Sequence, residues 1–167
     1  MDASAPAGPS PQWVRARRAA LVAGVVGLLY AGISAYWGLG GTWLLDTVGG
    51  SLEREGRSAD ALLIIAVWAA VVLKLIAVLL PWLVVCGLVK VGWERVARVL
   101  AWIEAGILTV YGLVLSAVDL LAEAGVLHAS AHADRRALAW HAYLWDPWFL
   151  LWGLLVVAAL AMARPAV

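Results

Sequence analysis

The 167-residue chain predicts an all-α, polytopic membrane protein, a four-transmembrane-helix bundle with both termini in the cytoplasm. Three observations carry this: 65% of the residues are hydrophobic and only 14% charged, the apolar residues fall into four long runs, and Lys and Arg are unevenly divided between the segments joining them. Soluble domains carry roughly 25% charged residues, so too few polar side chains are present to coat a water-facing surface. A soluble fold is excluded. Net charge +1 with scattered cations also excludes a basic face for nucleic acid.

Residues 1–18, rich in Pro and Gly, read as a disordered cytoplasmic tail, and residues 19–167 as one membrane domain. Arg15, Arg17 and Arg18 precede an apolar run over 19–39, whose 21 residues span about 30 Å at 1.5 Å each, the thickness of the hydrocarbon core. A cleaved signal peptide would have a shorter apolar stretch. Gly38, Gly40 and Gly41 end this helix, and a charged loop follows to Asp60. The second span is expected over 61–84, kinked at Pro81, with a short tail along the interface. The third covers 99–121. A second charged loop, 122–146, holds His128, His132 and His141 and is expected to contain a short surface helix. Pro147 then suits the first turn of a fourth span over 147–163, with Asp146 as its N-cap.

Orientation follows from the cations of the short loops. Arg15, Arg17, Arg18, Lys90, Arg95, Arg98 and Arg164 fall on one side; Arg54, Arg57, Arg135 and Arg136 fall on the other, among more numerous acids. Seven against four places both termini inside a bacterial cytoplasmic (plasma) membrane. The Trp residues agree, because Trp prefers the bilayer interface: Trp37, Trp43, Trp140, Trp145 and Trp148 mark the outer edge, and Trp82, Trp93 and Trp102 the inner one. No repeat between the halves supports an inverted-repeat transporter.

The first helix ends in Tyr36-Trp37-Gly38-Leu39-Gly40-Gly41-Thr42-Trp43, and the fourth opens in Trp145-Asp146-Pro147-Trp148-Phe149-Leu150-Leu151-Trp152-Gly153. These segments resemble those of a family of small bacterial four-helix integral membrane proteins known only as a domain of unknown function. The resemblance implies a four-helix fold in a bacterial membrane and carries no activity.

Few residues offer chemistry. Cys86 is alone, so no disulfide, redox pair or thiolate zinc site forms within the chain. Lys74 and Glu104 are ionisable groups within spans, about 12 Å and 8 Å from the inner edge. Three readings apply: an ion pair fixing the second helix against the third, snorkelling to the interface, or a proton- or substrate-handling site that would also use Asp119. His128 and His132, spaced i, i+4, share a helix face and offer a metal-chelating pair at the outer surface, with Asp119 and Glu123 pointing toward the same compartment. His141 lies about 220° round a straight helix from His128, so it does not complete that pair. A b-type haem is excluded because no span contains a His.

Gly24, Gly27, Ala31 and Ala35 form a small-residue strip for close helix approach, within the chain or in a homo-oligomer, and Ser34, Thr109 and Ser116 suit interhelical hydrogen bonds. Glu104 and Tyr111 share a stripe that would line a polar seam. The leading expectation is a non-enzymatic structural, accessory or lipid-interacting membrane protein, as a homo-oligomer or in a larger complex, with no cofactor beyond an outer-face metal ion. The alternatives are a small enzyme or hydrophobic-ligand-binding protein using an outer pocket of Trp37, Trp43, Trp145, Asp146 and Trp148, and an oligomeric proton-linked transporter.

Overall fold

The computed structural model describes residues 10–49, 61–127 and 134–163, and within them the chain is helical with no strand. Four helices long and apolar enough to cross a membrane are present. The chain runs α1 (Pro11–Gly38), a 3-10 turn (Leu45–Thr47), α2 (Ala61–Cys86), α3 (Glu94–Glu123), α4 (Arg135–Trp140), a π-helical turn (His141–Trp145) and α5 (Asp146–Met162).

Helix α1 starts eight residues before the predicted span. The reason is local: the Ser10 hydroxyl accepts from the Trp13 N–H at 3.3 Å, and Pro11 supplies a first-turn residue already set to helical φ. Part of the segment read as a disordered tail is therefore ordered, while residues 1–9 lie outside the described ones. At the other end of α1, Gly40 takes a φ of +89°, the Gly41 N–H reaches back to the Tyr36 carbonyl, and the Gly40 N–H reaches Trp37. Helices α2 and α3 close by the same Schellman arrangement, at Gly87 and Gly125. In α2, Pro81 does not end the helix, which continues to Cys86; the expected interfacial tail is instead helical for its first residues.

The largest departure from expectation concerns the fourth span. Its helical backbone begins at Arg135, capped by the Asp134 carboxylate on the Arg136 and Ala137 N–H groups. It passes without a break through the π turn into α5. Pro147 offers no N–H to the preceding turn, and the wide turn absorbs that loss, the Asp146 N–H reaching the His141 carbonyl five residues back. Asp146 is thus not an N-cap. Its carboxylate is free for another partner.

Packing follows stripes of small residues. The buried face of α1 is Ala16, Ala20, Ala23, Gly27, Tyr30, Ala31 and Ser34, and that of α3 is Ala101, Ala105, Leu108, Gly112 and Ser116. Both recur every three or four residues, the spacing of one helix face. Without a hydrophobic drive between helices in lipid, close backbone approach supplies the packing energy. At Gly27 an added Cβ would fall 2.5 Å from the Trp152 ring and 2.6 Å from Val78, so the predicted strip is used inside the chain, between α1, α2 and α5.

The broad interfaces are α1 with α2, α1 with α5, and α3 with α5. Helices α2 and α3 are consecutive yet touch far less, so the four spans form an arc ordered α2, α1, α5, α3 with an opening between its ends. Outward faces carry exposed apolar residues such as Leu62, Leu73, Ile107 and Val110, an arrangement that suits lipid and not water. The ends of the bundle differ. At the terminal end, Arg98 donates to the Ala163 carbonyl at 2.7 Å, and the Arg17 guanidinium lies over the Trp13 and Trp82 rings. The opposite, loop end carries the π turn and the 3-10 turn.

Candidate functional site

Two polar features interrupt this apolar frame, one at the loop end and one at mid-depth. At the loop end the π turn is decisive. Its extra residue per turn brings His141 and Asp146, five apart, close together: His141 Nδ1 lies 3.2 Å from Asp146 Oδ2. The other ring nitrogen, Nε2, lies 3.3 Å from the Val48 carbonyl, which the 3-10 turn delivers. Asp119, near the end of α3, completes the group, with ligand atoms of Asp119, His141 and Asp146 all within 4.8 Å of one another. Asp146 is only 3% exposed.

An aromatic layer supports this cluster. Trp145 is buried, donating its indole N–H to Thr47 Oγ1 at 3.2 Å, and Thr47 in turn donates to the Leu44 carbonyl at 2.6 Å. Tyr30 stacks on Trp145 and Trp148, with centroids 5.8 Å and 5.5 Å apart, and meets Phe149 edge-on. The Trp148 indole donates to the Val26 carbonyl and that of Trp37 to the Trp43 carbonyl. Of the residues expected to line an outer pocket, Trp145 and Asp146 are buried, Trp37 and Trp148 are half-buried, and Trp43 is exposed. Trp37 and Trp145 border a cavity of about 230 Å³ that also touches Tyr30, Ser34, Lys74 and His141, whereas Trp43, Asp146 and Trp148 do not line it.

At mid-depth, the opening between α2 and α3 forms a lateral groove of about 650 Å³. Its walls are aliphatic and aromatic, including Leu73, Ile76, Ile103 and Ile107, with Trp152 and Phe149 of α5 among its lining residues. Lys74, Glu104 and Tyr111 supply its polar groups, so the seam predicted for Glu104 and Tyr111 lies in this groove. The predicted Lys74–Glu104 ion pair is not formed. Lys74 Nζ donates instead to Ser34 Oγ at 2.7 Å and sits 4.4 Å from the centre of the Tyr30 ring. Splaying of α2 from α3 is the cause, since it leaves α1 as the nearer neighbour of Lys74. Glu104 Oε1 is buried and has no hydrogen-bond partner among the described residues. Of the three hydroxyls expected to bridge helices, Ser34 alone does so among the described residues; the Thr109 and Ser116 hydroxyl oxygens are buried without a hydrogen-bond partner there.

His128 and His132 lie outside the described residues, and so does the metal pair predicted on them. The described residues instead assemble His141 with Asp119 and Asp146, a set the sequence reading missed because it treated 122–146 as a loop. A signal was present: a Pro inside a helical run demands a missing bond be absorbed, and a π turn absorbs it by re-aiming the residues five apart.

Four apolar spans, an inward-facing polar cluster and exposed apolar outer faces define a multi-pass membrane protein. The chain belongs to the family described as protein of unknown function (DUF3995), whose family model matches residues 10–156, covering the first three spans, most of the fourth and both polar features. No curated protein and no solved structure matches the chain.

Proposed function

We propose that this is a non-enzymatic, lipid-interacting protein that holds an uncharged, hydroxyl-bearing lipid, such as a diacylglycerol or a long-chain alcohol, in the groove between α2 and α3. The observation that carries the reading is the buried, partnerless Glu104 Oε1 in an otherwise apolar groove of about 650 Å³. A buried acceptor without a donor costs about 1–3 kcal/mol, and a hydroxyl from a ligand supplies that donor. Lys74, on the opposite wall, has donors left to offer the ligand's oxygen after its single bond to Ser34. Lys74 sits at the middle of its helix and Glu104 about a third of the way along its own, depths at which a charged headgroup is disfavoured and an uncharged hydroxyl less so. The volume falls in the range of small-molecule sites, and the groove opens sideways, where lipid chains enter without crossing water.

Native mass spectrometry of the protein extracted with its own lipids tests this. A neutral hydroxylated lipid is expected to stay bound to the wild type and to be lost from Ile107→Trp, which fills the groove. Retention of the same adducts by Ile107→Trp, or adducts of bulk phospholipid alone, overturns the reading.

The location proposed with it is a bacterial cytoplasmic membrane with both termini inside. Support comes from the bias of seven Lys and Arg against four. The even number of spans agrees with it by putting Ser10 and Ala163 at one end.

A further inference from the structure

We propose that Asp119, His141 and Asp146 form a binding site for one divalent transition-metal cation at the loop end of the bundle. This stands on observations separate from the lipid groove.

The first is the ring of His141. The Val48 carbonyl, 3.3 Å from Nε2, can only accept a hydrogen bond, so it selects the tautomer with the proton on Nε2. That leaves the Nδ1 lone pair facing Asp146 Oδ2 at 3.2 Å, and a carboxylate also only accepts. In that neutral form two acceptors face each other, and they are joined either by a second ring proton, which makes His141 an imidazolium bonded to both, or by a metal cation. A metal cation taking the place of that second proton would use both groups as ligands, and ligand bonds of about 2.0–2.2 Å place neighbouring ligand atoms about 3.3–3.5 Å apart in a tetrahedral site. The His141–Asp146 separation of 3.2 Å lies just below that range.

The second is charge. Asp119 and Asp146 converge to within 4.8 Å, and among the described residues neither is paired with a Lys or Arg; Arg136 pairs with Asp46 at 2.8 Å. With both carboxylates ionised and the imidazole neutral the cluster would carry a charge of −2, which one divalent cation balances. The third is support. The Val48 carbonyl acts on His141 as outer-shell carbonyls act on metal-binding histidines, fixing the tautomer and ring plane. The three ligands come from α3, the π turn and the start of α5, and Trp145 anchors that turn to Thr47. One nitrogen and two oxygen ligands without thiolate suit zinc or manganese over copper(I), and three protein ligands leave a position for water.

The test uses the full chain in detergent, tag removed and stripped with a chelator, then dialysed against Zn²⁺ with metal content read by mass spectrometry. One Zn²⁺ per chain is expected in the wild type and in the His128→Ala/His132→Ala double variant. Affinity is expected to fall about tenfold or more in Asp119→Asn and in His141→Ala. Asp119→Asn is near-isosteric at a half-exposed position, so it keeps the test valid if His141→Ala does not fold. Zn²⁺, and not Mg²⁺, should also raise the wild-type melting temperature, because a ligand of the folded state stabilises it. No uptake by the wild type, or uptake lost in the double variant and kept in Asp119→Asn, overturns the proposal.

Discussion

Replacing Gly153 by alanine tests the packing on which both polar features depend. A Cβ at this position would lie 2.6 Å from the Thr109 backbone nitrogen and 2.9 Å from the Leu108 carbonyl carbon. Comfortable heavy-atom contacts are about 3.5–4.0 Å, so α3 and α5 must separate locally by about 1 Å. The Thr109 Oγ1, also 2.6 Å away, could rotate aside, but the two backbone atoms cannot, so no rotamer change relieves the clash. Overpacking of this kind costs about 1–3 kcal/mol, and the rigid neighbours put it at the upper end. The better helix propensity of alanine returns about 1 kcal/mol, leaving a net loss of about 2 kcal/mol. For a chain of this size that lowers the melting temperature by about 4–8 °C, readable from fluorescence-detected size-exclusion melts in detergent. Gly106→Ala is the control: it lies on the same α3, where an added Cβ meets nothing within 4 Å. It should gain the propensity term and melt at or slightly above the wild type. If Gly153→Ala melts like Gly106→Ala, the close approach of α3 to α5 is wrong.

Two further substitutions follow from the polar contacts. Lys74→Met should leave the melting temperature unchanged or raised, because it removes a half-buried cation whose only hydrogen-bond partner among the described residues is the neutral Ser34 hydroxyl; a drop equivalent to the roughly 3–5 kcal/mol of a broken buried ion pair would restore the Lys74–Glu104 pairing that the geometry rejects. Thr47→Val should lower stability by about 1–3 kcal/mol, since it strands the buried Trp145 indole N–H that donates to Oγ1; a near-isosteric valine that melts with the wild type would mean that the anchor of the π turn contributes nothing.

Much of the frame was legible because lipid imposes few options. A run such as 61–84 with one cation can only be a helix where water is absent, since every backbone group must be satisfied within the segment. Glycines at 40, 87 and 125 close helices in the left-handed region, which is a local property of the residue. The small-residue strip on α1 was visible too, though the buried register, Ala16 to Ser34 through Gly27, is shifted from the one read from Gly24 and Ala35. The helix boundaries were less legible. Ser10 and Pro11 start α1 by capping, and hydropathy does not register a cap.

The candidate sites were readable only in part, and the reason is distance along the chain. Composition and periodicity determined the solvent, the number of spans and the residues that would be costly in lipid: Lys74, Glu104 and Asp119 were identified without any structure. Their partners depended on which helices touch. The arc ordered α2, α1, α5, α3 gives Lys74 to Ser34, leaves Glu104 Oε1 without a partner among the described residues in an open groove, and brings Asp119 to a His and an Asp more than twenty residues away. Helix order of this kind is set by the close fit of Gly27, Gly112 and Gly153 against particular side chains and backbone, a matter of shape between distant segments that hydropathy along the chain does not encode.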